Sequence, residues 1–144
     1  EEPGVLSAHA EFANYRLVAE WKWGERTWPP RAENARESGI LLHMSDGGAI
    51  ECRIGEGTTG DIVVQGNDTN GHSLAVRAAG AVLMFRPGGE PVTLTEGAVH
   101  WWGRDPGWED RRDFRGAYDA ESPRGEWNLL ECVVRGDRLR ITLN

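Results

Sequence analysis

The residues best suited to chemistry in this chain are His43, Glu51, Arg53 and Asp61, which lie within one short stretch of the sequence. A carboxylate or an imidazole can act as a general base, and a guanidinium can stabilise negative charge that develops during a reaction. These residue types therefore favour proton abstraction beside an electrostatic stabiliser. The competing interpretation is the solvated face of an antiparallel sheet, where polar side chains are also expected.

The spacing of these residues predicts a β-hairpin. Alternating segments 39–44 and 49–54 are separated by the turn-rich sequence Ser-Asp-Gly-Gly, an arrangement typical of two strands joined by a short loop. Alternation places Glu51 and Arg53 opposite the apolar face of the second strand, and His43 on the face of the first strand that carries Leu41. We therefore expect His43, Glu51 and Arg53 within reach of one another.

Two further segments carry candidate sugar-binding residues. Glu20 lies on the polar face of an alternating strand predicted over 15–23, where it could join the site or form an exposed ion pair. The later segment 104–110 places Asp105 beside Trp108. An indole can stack on a sugar ring while carboxylates accept hydroxyl hydrogen bonds. The alternative for Trp108 is a buried ring that pins a long loop.

The remaining pattern predicts an all-β chain. Short apolar segments separated by Gly- and Asn-rich turns indicate strands, and residues 95–123 form a long irregular segment that contains several tryptophans. About eight strands with frequent turns predict an antiparallel β-sandwich or jelly roll. The further predicted strands cover residues 62–65, 73–78, 81–86, 127–134 and 138–143.

Composition narrows the functional classes. A net charge of −7 and a pI near 5.1 disfavour nucleic acid and anionic membranes as partners, and no apolar run is long enough for a membrane span. Common nucleotide-binding, nucleophile-elbow and zinc motifs are absent from the sequence. Cys52 and Cys132 permit one disulfide, although free buried cysteines are also common. His9, His72 and His100 lack metal-ligand spacing and receive no role.

Four ordered segments together resemble the 3-keto-disaccharide hydrolase family. These segments are ARESGILLH, AIECRIGEGTTGD, DFRGAYDAESPRGEWN and GDRLRITLN, and they are spread along most of the chain. The resemblance implies one domain over 1–144 with a concanavalin-like jelly roll, exported to the bacterial periplasm or cell surface. It also implies an enzyme that acts on glycosides oxidised at C3 of the sugar.

The resemblance gives the candidate residues a chemistry. A 3-keto group acidifies the hydrogen on C2, so a base can remove that proton, the substituent on C1 can leave by elimination, and water can then add. Glu51 and His43 match family positions and are the candidate bases. Arg53 is the candidate stabiliser, at a position where the family commonly has Gln. A divalent cation is a further candidate for polarising the ketone.

The candidate substrate-binding set combines both kinds of reasoning. Asp61, Trp108, Arg115 and Asn128 match segments of the family, while Glu20 and Asp105 are candidates from the residue pattern alone. Because a fold does not guarantee chemistry, a noncatalytic lectin-like module that binds carbohydrate is the alternative. Compared with the family, the first and last strands are expected to be missing, so a second fragment or subunit could complete the sandwich.

Overall fold

The computed structural model of the protein describes residues 4–45, 48–66 and 72–144, and in these ranges it contains ten strands and no helix. Within the same ranges there is consequently no helix that could cross a membrane. The strands are β1 (Tyr15–Trp21), β2 (Glu37–Ser45), β3 (Gly48–Gly55), β4 (Ile62–Gly66), β5 (Leu74–Ala79), β6 (Met84–Phe85), β7 (Glu90–Leu94), β8 (Gly97–Val99), β9 (Asn128–Arg135) and β10 (Arg138–Leu143).

The strands form three sheets distributed over two compact units. The terminal unit comprises the chain up to Ala32 together with Glu121–Asn144, and the central unit comprises Glu33–Ala120. Every strand pair within the sheets is antiparallel. The predicted all-β, antiparallel class, consistent with a β-sandwich, is therefore confirmed.

The terminal unit is a three-stranded sheet with the order β1-β9-β10. Central strand β9 alternates strictly, and its inward side chains Leu130, Cys132 and Val134 are all at most 1 % exposed. β1 shows the same two-residue period, with its odd-numbered side chains more buried than its even-numbered ones. This period is that of strands with one apolar face and one polar face.

The central unit contains a four-stranded sheet with the order β2-β3-β4-β8. Ile50, Cys52 and Ile54 of β3 are buried, while the intervening Glu51 and Arg53 are partly exposed. The register pairs Cys52 with Ile62 and Ile62 with Val99, which continues the apolar row across the sheet. The opposite face of this sheet carries the candidate chemistry.

A second sheet of the central unit has the order β6-β5-β7. A parallel bridge joins its edge to the residue that follows β8, with Met84 opposite His100. The backbone N–H of His100 donates to Leu83 O at 2.9 Å, and the N–H of Phe85 donates to His100 O at 2.8 Å. His100 is thus held by backbone bonds on the side of β6.

Most predicted strands are confirmed, with three differences. β7 and β8 lie in segments where no strand is predicted, and the strand predicted over 81–86 is reduced to β6, because residues 80–83 form a turn. The predicted hairpin of β2 and β3 is confirmed by the pairing of Ser45 with Gly48. Its central residues 46–47 and the predicted turn at 67–71 lie outside the described ranges. Cys52 and Cys132 are both buried, and they are not joined by a disulfide.

Removal of the Leu130 side chain tests the packing of the terminal sheet. Leu130 is 0 % exposed, so Leu130→Ala should lower the free energy of unfolding by about 2–5 kcal/mol. The matched control is its neighbour Leu129, which is 42 % exposed, and Leu129→Ala should change stability by less than about 1 kcal/mol. Denaturant unfolding followed by tryptophan fluorescence measures both, and equal losses would contradict the assigned faces.

Candidate functional site

One face of the four-stranded sheet gathers polar side chains from β3 and β4, from the residue before β4 and from the residue after β8. We call this surface the polar face and define it by Glu51, Arg53, Asp61, Gln65 and His100. The register pairs Glu51 with Val63, and Arg53 N donates to Asp61 O at 2.9 Å, which places these residues side by side across β3 and β4. Since directly paired residues in an antiparallel sheet point to the same side, Glu51 and Arg53 share one face as predicted, and the structure adds Asp61 to that face.

Glu51 is held in the middle of the polar face. Its Oε2 accepts a hydrogen bond from Gln65 Nε2 at 2.8 Å. Across the strand pair, a Cβ added to Gly39 would lie 2.7 Å from Glu51 Oε1. The glycine therefore leaves the space that the carboxylate occupies, and a larger residue at position 39 would displace it.

Arg53 lies two residues along β3 from Glu51 and projects from the same face. Its Nη2 is 3.8 Å from Glu37 Oε1, a loose ion pair in which both side chains are about one-third exposed. A pair of this length and exposure binds weakly. The guanidinium can therefore exchange Glu37 for a negatively charged group on a ligand.

His43 does not follow the predicted alternation. The register of β2 shifts between Leu42 and Ser45. His43 has a backbone φ of 53°, in the left-handed region that residues other than glycine rarely adopt. Met44, the residue after His43, is 59 % exposed. The regular register that would place His43 opposite β3 beside Glu51 ends at Leu42. The imidazole instead lies near that of His72, with ring centroids 6.3 Å apart.

Asp61 is the most heavily bonded side chain of the polar face, and it is only 1 % exposed. Its Oδ1 accepts from the backbone N–H of Trp101 at 3.0 Å, and its Oδ2 lies 2.8 Å from Nδ1 of His100. Arg104 Nη1 also donates to Oδ2. With so little surface, Asp61 has no room for direct sugar contact, and its geometry favours positioning His100 and Arg104 over the predicted binding role.

His100 is the main residue of the polar face that the sequence pattern does not reveal. Its side chain is 21 % exposed, and only its Nδ1 is bonded within the described part of the chain. The short strand β8 places His100 on this face, but a strand of three residues is too brief to be recognised in the sequence as an alternating segment. Imidazoles that transfer protons commonly have a carboxylate bonded to Nδ1 and leave Nε2 accessible, and His100 has this arrangement.

The turn between β3 and β4 presents Asp61 and anchors the later loop. Its first carboxylate, Glu56, is 4 % exposed and is paired with the guanidinium of Arg36. Glu56 Oε2 also accepts from the backbone N–H groups of Arg36 at 2.8 Å and Asp113 at 3.2 Å. Burial alone would lower the pKa of Arg36, but the Asp113 and Glu56 carboxylates outweigh it and raise the pKa above its ordinary value.

Trp108 packs against this turn. Its indole N–H donates to Glu56 O at 2.9 Å, and the Arg104 guanidinium lies 4.7 Å from the ring centroid. These contacts agree with the loop-pinning interpretation of Trp108, since its N–H and one ring face are occupied. The residue remains partly exposed, so its predicted sugar contact stays a prediction.

Asp105 and Arg115 stabilise the rest of the loop. Asp105 Oδ1 accepts from Gly107 N at 2.8 Å and its Oδ2 from Ala117 N at 3.2 Å, while Arg115 Nε lies 2.9 Å from Asp119 Oδ2. More exposed aromatic surface lies nearby in sequence, because Trp102 is 58 % exposed and its ring centroid lies 6.5 Å from that of Tyr118. The binding roles predicted for Asp105 and Arg115 remain predictions.

The last two candidates belong to the terminal unit. Glu20 is exposed on β1, where it pairs in register with Leu129. Asn128 is 2 % exposed, and its Oδ1 accepts from Ser122 N at 2.7 Å and Asn144 Nδ2 at 3.1 Å. The Asn128 amide oxygen is therefore occupied by internal bonds, while Glu20 is open to solvent.

For a metal, the described ranges contain no group of three or more His, Cys, Asp or Glu side chains arranged to hold an ion. The divalent cation proposed from sequence stays a prediction.

Comparison with known proteins identifies a family over the full length of the chain. The profile described as a 3-keto-alpha-glucoside-1,2-lyase-like domain matches residues 1–144. No curated protein and no solved structure matches the chain significantly.

Neutralising Glu56 tests the anchor below the polar face. Glu56→Gln leaves the buried Arg36 charge with Asp113 as its remaining carboxylate partner and should lower the free energy of unfolding by about 3 kcal/mol. The matched control is Glu109→Gln, which breaks an exposed pair with Arg111 and should cost less than about 0.5 kcal/mol. Denaturant unfolding compares the two, and a Glu56→Gln protein as stable as the control would contradict this anchoring role.

Proposed function

Because the chain belongs to the 3-keto-alpha-glucoside-1,2-lyase-like family, we propose that it cleaves glycosides carrying a ketone at C3, with Glu51 as the base that removes the C2 proton. The observation that carries the proposal is the polar face, where a carboxylate and a guanidinium project from β3 and an imidazole projects from the residue after β8 of the same sheet. An ordinary glycosidase needs two carboxylates that flank the glycosidic bond. An elimination on a keto sugar needs a base and a stabiliser of the enolate.

Glu51 suits the base because its surroundings fix the carboxylate without neutralising it. Gln65 donates one neutral hydrogen bond to Oε2, and Oε1 lies in the space that the missing side chain of Gly39 leaves. A positioned carboxylate can therefore approach a bound C2–H group while its other oxygen stays fixed. His43, the other base predicted from sequence, lies in the bulge where regular pairing has ended.

Arg53 suits the enolate stabiliser because it projects beside Glu51 and carries a permanent positive charge. Removal of the C2 proton places negative charge on the C3 oxygen, and a fixed cation next to that oxygen stabilises the transition state more than the neutral ketone. The loose contact with Glu37 lets the guanidinium turn toward the substrate.

Glu51→Gln tests the base. We expect release of methanol from methyl 3-keto-glucoside to fall by about 10²–10⁴-fold, because the amide cannot accept the proton. Glu90→Gln, an exposed carboxylate on β7, is the matched control and should retain full activity. His43→Ala tests the second candidate base. Retained activity in Glu51→Gln together with loss in His43→Ala would assign the base to His43.

The reaction class has its own readout in deuterated water. Elimination followed by hydration incorporates deuterium at C2 of the product when the proton held by the base exchanges with solvent before it returns, whereas direct hydrolysis leaves C2 unlabelled. An enzyme-free sample of the product corrects for spontaneous exchange. An intact wild-type protein that binds the keto glycoside but never releases its aglycone would instead establish the lectin-like alternative.

Arg53→Gln tests the stabiliser and places at position 53 the residue that the family commonly has. If the guanidinium stabilises the enolate, kcat for the keto glycoside should fall by about 10²-fold, with little change in thermal stability because Arg53 is partly exposed. Lys22→Gln, an exposed cation of the terminal unit, is the control. Unchanged kcat in Arg53→Gln would remove Arg53 from the mechanism.

A further inference from the structure

Resting on the proposed function, we propose that His100 is the general acid that protonates the leaving oxygen on C1. Glu51 and Arg53 account for removal of the C2 proton and for stabilisation of the enolate. The aglycone, however, would leave as an alkoxide, which is a poor leaving group. Its departure needs a proton at the moment the C1–O1 bond breaks. The polar face offers one further proton-transferring side chain with a fixed orientation, and it is His100.

The position of His100 follows from the sheet. Val99 pairs with Ile62 in an antiparallel register. The residue after Val99, His100, therefore lies opposite the residue before Ile62, Asp61, as the 2.8 Å distance between their side chains shows. The backbone oxygen of Asp61 in turn accepts a hydrogen bond from the backbone N–H of Arg53. Arg53, Asp61 and His100 thus form one row across the sheet. Since β4 separates β3 from β8, the row is about 10 Å wide, the width of two strand spacings.

Glu51 lies in the neighbouring row, two residues along β3 from Arg53, so the acid and the base lie at opposite sides of a sugar-sized space. Glu51 projects from β3, and His100 projects from the end of β8. A pyranose ring over the intervening strand would turn C2 toward the carboxylate and O1 toward the imidazole. The residue between them on β4 is Val63, paired with Glu51, whose small apolar side chain does not compete for either proton.

The chemical state of His100 follows from the groups that face it. Asp61 Oδ2 lies 2.8 Å from Nδ1, and Arg104 Nη1 lies 3.1 Å from the same nitrogen. When the ring carries both protons, Nδ1–H and the Arg104 guanidinium both point at the Asp61 carboxylate, since two donors cannot bond each other. The second ring proton is then on Nε2, which is the proton that a general acid would give. Nε2 has no partner among the described residues, and this side chain is 21 % exposed.

The ring is also fixed in place, as a catalytic acid requires. The backbone of His100 is bonded on both sides to the β6 segment. Asp61 is 1 % exposed and holds Trp101 N as well as the imidazole. The Arg104 side chain is only 15 % exposed and is packed over Trp108. Asp61 is consequently a positioning residue, and its effect on catalysis passes through His100.

Glu51 and His100 divide the proton transfers of the reaction between them. Glu51 takes the C2 proton, the electrons of that bond form the enolate of the C3 ketone, and the enolate then re-forms the ketone as a C1=C2 double bond is made. The C1–O1 bond breaks, its electron pair goes to O1, and His100 Nε2 gives O1 a proton, so the aglycone leaves as a neutral alcohol. Water then adds its oxygen to C1 while neutral His100 takes a water proton. Protonated Glu51 returns a proton to C2.

A series of leaving groups distinguishes an acid from other roles. The probes are 3-keto-glucosides with methyl and para-nitrophenyl aglycones, since a nitrophenolate departs without protonation whereas a methoxide does not. His100→Asn is the main variant because its side-chain N–H can keep the bond to Asp61. We expect turnover of the methyl glycoside to fall by about 10²–10⁴-fold, and that of the para-nitrophenyl glycoside by less than about tenfold.

Three comparisons make the outcome decisive. His100→Gln, a second variant, should repeat the pattern, and circular dichroism selects whichever variant is folded. His9→Gln, an exposed histidine of the terminal unit, should leave both substrates unaffected. Asp61→Asn should reproduce the selective loss on the methyl glycoside in weaker form, which a purely structural role would not do.

Equal losses on both substrates, or no loss on either, would overturn the role of His100 as acid. That result differs from failure of the proposed function, in which the wild-type protein turns over neither substrate and the role of His100 falls with it. Rescue of the methyl-glycoside activity of His100→Asn by added imidazole, without rescue of Glu51→Gln, would further support the assignment.

Discussion

The burial of two carboxylates in one short turn is the constraint on which the central unit depends. Glu56 and Asp61 are both under 5 % exposed, and a buried carboxylate without partners is strongly unfavourable. Their partners come from distant segments, with Arg36 before β2, Asp113 late in the loop, and the residues that follow β8. The turn is therefore compatible only with a loop that returns to cover it. This explains why a long segment without regular secondary structure is fixed by many side-chain bonds.

The same constraint links stability to the candidate chemistry. Between the two carboxylates, Gly57 has a φ of 73°, and a Cβ there would lie 2.7 Å from the Phe114 ring. The turn is therefore tightly packed, and it positions Asp61 at the start of β4. Asp61 then orients the His100 imidazole toward the polar face. A residue with almost no exposed surface can in this way control a proton transfer that it never contacts, as second-layer carboxylates do for histidines in many sites.

The candidate residues divide into two groups once their surroundings are known. Glu51 and Arg53 are partly exposed and have weak or neutral partners, so they can respond to a ligand. Asp61, Asn128 and, in large part, Trp108 are occupied by internal bonds. Residue type alone does not separate these groups, because a carboxylate, an amide or an indole serves equally well in a binding site and in a buried network. Burial and hydrogen-bond partners make the distinction.

By itself, the sequence determined the all-β class, the β2–β3 hairpin and the outward face of Glu51 and Arg53, because strand alternation is a local property with a period of two residues. Its ordered segments also identified the family. Tertiary structure decided what alternation cannot encode. The bulge at His43 interrupts the period, and β8 is too short to show one. The pairing of His100 with Asp61 joins residues 39 positions apart, so only the strand order β3-β4-β8 brings that imidazole onto the same face as Glu51.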